Sequence, residues 1–114
     1  MAQQPIPEAW RSAVCAILKK EDRQFIKWTL DARERFESDF SPDWGSDAYA
    51  ELRRYLNLPN VTGCPVNMGG GETWEFLYPH KKRNAYGKIC LTADKKKIMI
   101  YSVHVARKNG LSCD

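Results

Sequence analysis

The sequence predicts an α+β protein in which two or three N-terminal helices pack on one face of a small twisted antiparallel β-sheet. Apolar residues recur at three- and four-residue spacing through the first half of the chain. Segments rich in β-branched and aromatic residues follow in the second half. A chain of 114 residues suits one domain over residues 1–114, and we expect residues 1–7 to form a flexible arm.

Helical periodicity predicts three helices in order. The first covers residues 8–20, where apolar side chains share one face. The second covers residues 22–40, with Asp22 as its N-cap and mixed charges on its far face. After a break at residues 41–45, a third helix follows over residues 46–56. We expect the inward faces of these helices to cover the sheet.

Three strands are predicted after a loop at residues 57–72: residues 73–78, 86–93 and 97–106. The loop contains three consecutive glycines, which invites a phosphate-loop interpretation. No Lys-Ser or Lys-Thr pair follows them, and the next element has a strand pattern. A flexible loop before a strand is therefore the favoured interpretation.

A short turn at residues 94–96 predicts the pairing of the last two strands. The aliphatic side chains should then face the helices, while Lys88 and two tyrosines face outward as a platform for bases and phosphates. His104 is expected on the aliphatic face near Ala85, where a lone histidine is more often a core residue than a catalyst. The predicted register sets Leu91 opposite Ile98, Ile89 opposite Ile100, and Lys88 opposite Tyr101.

The net charge of +4 is unevenly distributed. Residues 1–60 carry nine Lys or Arg against ten Asp or Glu, and residues 61–114 carry nine against four, so the halves have charges of −1 and +5. Within residues 79–108 the only acid is Asp94. This basic hairpin region indicates contact with RNA or another polyanion; the alternative is a solvated, lysine-rich face.

The composition indicates chemistry without metals or cofactors. The four cysteines include no CxxC pair and are expected to be reduced thiols. His80 and His104 are the only histidines, so no histidine-rich metal site is expected. No apolar stretch approaches the roughly 20 residues of a membrane span, and the N-terminus lacks a signal pattern, which predicts a cytoplasmic protein. One reaction that fits this composition is the cleavage of RNA through attack by the ribose 2′-hydroxyl of the RNA itself. This reaction needs only a base, an acid and cations.

Three segments resemble a known family: WEFLY at residues 74–78, YGKICLTAD at residues 86–94 and KIMIYSVHVARK at residues 97–108. Their order resembles the RelE/ParE superfamily of bacterial toxins, especially its HigB-like members. The resemblance implies a RelE-like fold and an mRNA interferase, which is a metal-independent endoribonuclease that cuts mRNA on the ribosome. It also implies a cognate antitoxin protein as partner.

By position, the resemblance implies two groups of site residues. The implied catalytic residues are Arg83, Lys88, Tyr101, His104 and Arg107, and the implied substrate-binding residues are Lys81, Lys82, Tyr86 and Lys108.

Two other functional classes stay open. One is a non-enzymatic nucleic-acid-binding or gyrase-directed ParE-like toxin. The other is a protein inhibitor from a phage or mobile element that binds its partner through the mixed-charge helical face.

Overall fold

A computed structural model describes residues 2–107 and 110–114 and confirms the α+β class. The three helices precede a four-stranded antiparallel meander, with one short strand before the first helix and another before the second. The elements in chain order are β1 (Gln4–Pro5), α1 (Glu8–Lys20), β2 (Ile26–Trp28), α2 (Leu30–Phe40), α3 (Gly45–Leu56), β3 (Thr62–Val66), β4 (Gly71–His80), β5 (Arg83–Thr92) and β6 (Ile98–Val105).

All six strands form one sheet in the order β1-β3-β4-β5-β6-β2. Every neighbouring pair is antiparallel except β2 and β6, which run parallel. Beyond the end of β2, helix α2 continues along the same side of β6, and the Asp39 carboxylate accepts the Val105 backbone N–H at 3.0 Å. A side chain thus satisfies a backbone donor on β6 that has no neighbouring strand there.

The core lies between the helices and one face of the sheet, here called the inner face. Ile89, Ile98 and Ile100 of this face are completely or almost completely buried. Tyr55 of α3 stacks on Phe76 of β4 with ring centroids 5.8 Å apart. This burial of large apolar side chains supplies the main driving force for folding.

His80 is buried at the end of β4, where its ring packs 4.2 Å from that of Phe40. Its Nε2 lies 2.7 Å from the Asp43 carboxylate, which also accepts a hydrogen bond from the Lys81 ammonium at 2.8 Å. The hydrogen bonds from Lys81 and then His80 hold the pKa of Asp43 below its usual value. This cluster joins the β4–β5 turn to the loop between α2 and α3.

The helices over residues 8–20 and 46–56 are confirmed to within a residue, but the helix predicted over residues 22–40 is wrong in its first part. Residues 26–28 pair with β6, and the Thr29 hydroxyl caps α2 by accepting the Ala32 N–H at 3.0 Å. A three-residue strand is specified by its distant partner, so local periodicity does not reveal it.

The predicted strands are all present, and each of the first two is longer than expected. The predicted loop at residues 57–72 contains β3, which pairs with β4. Residues 4–5, which lie in the predicted flexible arm, pair with β3, and Ile6 is buried. Both differences extend the sheet beyond the three predicted strands.

A β-bulge between β5 and β6 corrects the predicted register. The predicted pairs Leu91–Ile98 and Ile89–Ile100 are confirmed, but Lys88 lies opposite Ser102, which leaves Tyr101 as the extra residue. Beyond the bulge the alternation of side chains is reversed. His104 therefore lies opposite Tyr86 on the outer face of the sheet, and the prediction that it lies on the aliphatic face is wrong.

The prediction that all four cysteines are reduced is also wrong, because Cys64 and Cys113 form a disulfide. Their Cα atoms are 5.8 Å apart, within the range a disulfide requires. Cys15 and Cys90 are unpaired and buried. Within residues 2–107 and 110–114, the longest helix is too short and too polar to cross a bilayer.

Candidate active site

A cavity of about 400 Å³ opens on the outer face of the sheet, beneath the C-terminal segment at residues 110–114. Polar side chains from β4, β5 and β6 meet in it, and apolar side chains complete its wall. The lining residues are Arg35, Glu75, Leu77, Tyr86, His104, Ala106, Arg107, Gly110, Leu111 and Ser112.

Glu75 is the central group of the cavity, and only 5% of its surface is exposed. Its Oε2 accepts a hydrogen bond from the Tyr86 hydroxyl. Its Oε1 accepts the Ser112 backbone N–H at 2.7 Å and the Ser112 hydroxyl. Burial alone would raise the pKa of Glu75, but the hydrogen bonds from Ser112 and Tyr86, with the charge of Lys88, lower it. The carboxylate is therefore charged at neutral pH.

Tyr86 and His104 form a stacked pair at the floor of the cavity, with ring centroids 5.2 Å apart and an angle of 25° between the rings. Burial, reinforced by the charge of Glu75, raises the pKa of Tyr86, so its hydroxyl stays a proton donor. The Nδ1 of His104 lies 2.9 Å from the Val105 carbonyl oxygen. Because a carbonyl only accepts, Nδ1 carries the proton and Nε2 is the atom available for proton transfer.

Cationic side chains surround this group. Lys88 lies directly opposite Glu75 in the register of β4 and β5. Arg107 follows β6 and is held by the Asp39 carboxylate at 3.3 Å, while its side chain stays half exposed. Arg35 reaches the cavity from α2. A buried carboxylate, an imidazole and two guanidinium groups thus share one concave surface, and Lys88 lies beside it.

The C-terminal segment is fixed over the cavity by its disulfide and by polar contacts. Cys64, the partner of Cys113, lies opposite Glu75 in the register of β3 and β4. The Asp114 carboxylate accepts the Leu111 N–H at 2.8 Å and the Gln3 amide at 3.2 Å. The tethered segment and the buried carboxylate are therefore close neighbours.

No family model, curated protein or solved structure matches this chain. The geometry of the cavity is therefore the basis for assigning a function.

The structure brings part of the predicted catalytic set into the cavity. His104 and Arg107 line it together with Tyr86, which was predicted to bind substrate. Lys88 lies beside it, opposite Glu75. Tyr101 is half-buried at the bulge and does not line the cavity. Four predicted residues, from β5, β6 and the segment after β6, thus lie in or beside the cavity around one carboxylate.

The remaining predicted residues lie elsewhere. Lys81 is bound to Asp43, and Lys82 is exposed in the β4–β5 turn. Arg83 donates a hydrogen bond to the Asp39 carbonyl at 2.6 Å and lies over the Phe40 ring. Lys108 lies outside the described residues. Lys81 and Arg83 therefore contact the loop and helix beside them, and none of residues 81–83 lines the cavity.

Sequence reasoning missed Glu75, which is the group at the centre of the site. A signal was present, because Glu75 is the only acid within the apolar segment at residues 73–79. An acid inside an apolar strand is rarely buried without a specific partner. Its partner Ser112 belongs to the C-terminal segment, which has no regular pattern from which its position could be predicted.

One group of possible metal ligands occurs in the described residues: Cys64, Cys113 and Asp114, whose donor atoms lie within 4.8 Å of one another. The two sulfur atoms are bonded to each other in the structure. A metal needs thiolates, so this group does not provide a metal site while the disulfide is intact.

Proposed function

We propose that this chain is the toxin of a bacterial toxin–antitoxin system and acts as a metal-independent endoribonuclease that cleaves mRNA. The observation that carries the proposal is the presence of Glu75, His104 and Arg107 in one cavity. Cleavage at a ribose 2′-hydroxyl needs a base, an acid and a cation, and these are the three chemical types assembled. A RelE-like arrangement, a cytoplasmic location and cleavage of mRNA on the ribosome belong to the same proposal.

In the proposed reaction, the Glu75 carboxylate removes the proton of the 2′-hydroxyl, and the 2′-oxygen attacks the adjacent phosphorus. The bond from phosphorus to the 5′-oxygen breaks, and His104, protonated beforehand, gives its Nε2 proton to that oxygen. The products are a 2′,3′-cyclic phosphate and a new 5′-hydroxyl end. Arg107 and Lys88 stabilise the negative charge of the pentavalent phosphorane.

The test is induction of the chain in bacteria, with growth and mRNA 5′ ends as readouts. We expect wild type to slow growth and create new 5′ ends, and Glu75→Gln and His104→Asn to lower the cleavage rate by about 10²- to 10⁴-fold. Lys19→Ala is the matched control, because it removes an exposed charge on α1, a helix that contributes no residue to the cavity. If wild type produces no new ends, the ribonuclease proposal is lost.

A cognate antitoxin protein is the proposed partner, and coexpression of it should restore growth. Growth arrest without new mRNA ends would favour the gyrase-directed, ParE-like alternative. Accumulation of cleaved mRNA only when ribosomes are present would identify ribosome-bound mRNA as the substrate.

A second candidate function, a protein inhibitor, is favoured by a separate groove of about 850 Å³ beside α2. Trp44 lines this groove and is 77% exposed, which is unusual for so large an apolar side chain. Arg23, Lys27 and Arg33 also line the groove. A Trp44→Ala variant that keeps cleavage but loses partner binding would assign the groove to the antitoxin; loss of partner binding in a chain that never cleaves RNA would favour the inhibitor.

A further inference from the structure

Ser112 makes the contact with Glu75 that the proposed reaction requires of its substrate. The Ser112 hydroxyl donates to Oε1 of Glu75, and the Ser112 backbone N–H donates to the same oxygen at 2.7 Å. A ribose 2′-hydroxyl must donate to this carboxylate before it can be deprotonated. The C-terminal segment and the RNA therefore compete for one acceptor.

The Cys64–Cys113 disulfide is the covalent attachment that keeps Ser112 there. Cys113 directly follows Ser112, and Cys64 lies opposite Glu75 on the neighbouring strand. Besides the Ser112 hydrogen bonds to Glu75, the other described attachments of the segment are the buried Leu111 side chain and an exposed hydrogen bond from Gln3 to Asp114 at 3.2 Å. An exposed hydrogen bond contributes little to stability, so the disulfide and the burial of Leu111 are what hold Ser112 in reach of Glu75.

We propose that the C-terminal segment is a redox-controlled autoinhibitor, in which the Ser112 hydroxyl occupies the position of the substrate 2′-hydroxyl until the Cys64–Cys113 disulfide is reduced. The inference rests on the proposed ribonuclease function and identifies the regulation of the same site. It fits a cytoplasmic protein, because disulfides of cytosolic proteins are usually transient and redox-sensing.

The reductant is a dithiol of the thioredoxin class, or dithiothreitol in vitro. One of its thiolates attacks a sulfur of the disulfide and forms a mixed disulfide, and its second thiolate then displaces the protein sulfur. Two electrons pass to the protein. Cys64 and Cys113 each become a thiol, and the reductant becomes a disulfide.

Release of Ser112 would also make Glu75 a better base. Burial acts to raise the pKa of this carboxyl, and the hydrogen bonds from Ser112 are the principal opposing influence. When bound RNA buries Glu75 and the Ser112 donors have gone, the pKa of the carboxyl should rise toward that of an effective base. The segment thus blocks access and weakens the base at once.

The experiment compares cleavage of a short fluorogenic RNA by the oxidised full chain, by the chain after dithiothreitol, and by Cys113→Ser. We expect the reduced chain and Cys113→Ser to cleave roughly ten- to a hundredfold faster than the oxidised chain. This factor corresponds to RNA no longer competing with one or two charge-assisted hydrogen bonds from Ser112 to Glu75. Cys15→Ala is the matched control; it keeps the disulfide and should respond to reductant as wild type does.

Ser112→Ala provides a test that leaves the disulfide in place. Because it removes the hydroxyl and keeps the backbone N–H, we expect part of the rate increase to occur without reductant. Equal rates for the oxidised and reduced chain would overturn the autoinhibitor and leave the ribonuclease function intact. Absence of cleavage by every form, including Cys113→Ser, would overturn both, so the two failures are distinguishable.

Discussion

Removal of the disulfide should lower the free energy of unfolding by about 4 kcal/mol. The crosslink joins residues separated by 49 positions, and it therefore restricts nearly the whole second half of the unfolded chain. In the chain-entropy model, the entropy removed from the unfolded state is about 2.1 + 1.5R ln n cal/mol/K, which for a loop of this size corresponds to about 4 kcal/mol at 25 °C. Cys64→Ser/Cys113→Ser and simple reduction should give similar losses.

Urea unfolding followed by tryptophan fluorescence measures this loss, with oxidised and reduced protein compared at the same pH. The oxidised chain should also show a smaller dependence of the free energy on urea, because its crosslinked unfolded state exposes less surface. Cys15→Ala, which leaves the disulfide intact, should lose the same amount as wild type on reduction. A loss below about 1 kcal/mol would refute the entropic reasoning.

Three further perturbations test the fold. Gly87→Ala should destabilise the protein by about 1–3 kcal/mol in urea unfolding, because the added Cβ would lie 2.8 Å from the Phe76 ring. Asp39→Ala should cost about 1–3 kcal/mol in the same assay, since a backbone N–H of β6 loses its acceptor. Asp43→Asn should flatten the pH profile of thermal stability. The hydrogen bond from Lys81 lowers the pKa of Asp43 in the folded state. The charged carboxylate therefore contributes to the free energy of unfolding above pH 3.8, and this contribution is lost as the pH falls through the lower pKa of the folded state.

Each perturbation has a control and a contradicting outcome. Gly45→Ala should be neutral, because its Cβ would make only an ordinary contact at 3.5 Å; equal losses at both glycines would contradict the steric reason. Asp39→Asn keeps an acceptor and should retain more stability than Asp39→Ala. If the Asp43→Asn variant loses as much thermal stability at low pH as wild type does, this carboxyl does not govern the acid dependence of stability.

Local sequence patterns predicted the elements whose structure depends mainly on their own residues. The 3.6-residue periodicity of α1 and α3, and the aliphatic alternation at Ile89 and Ile98, predicted elements that are present. The strand β2 and the disulfide depend on partners far along the chain, and local periodicity carries no information about them. The same limit explains why the sequence indicated a basic surface but missed the carboxylate at its centre.

The candidate site shows how one residue changed the interpretation. The prediction placed His104 in the core by counting alternate residues along β6, and the single extra residue at Tyr101 reverses that count. Because the bulge shifts the pairing by one residue, Ile98 and Ile100 before it face the helices, and His104 after it faces the opposite side of the sheet. The sequence contains no glycine in β6 that would mark the irregularity.

The sheet ends on both sides in very short strands, and this limits how copies of the chain can associate. β1 has two residues, one of them Pro5, and β2 has three. A strand this short offers few unpaired backbone groups to another molecule, and proline offers no donor at all. The long central strands β4 and β5 are each paired on both sides. We therefore expect the ends of this sheet to be poor templates for growth from one molecule into the next.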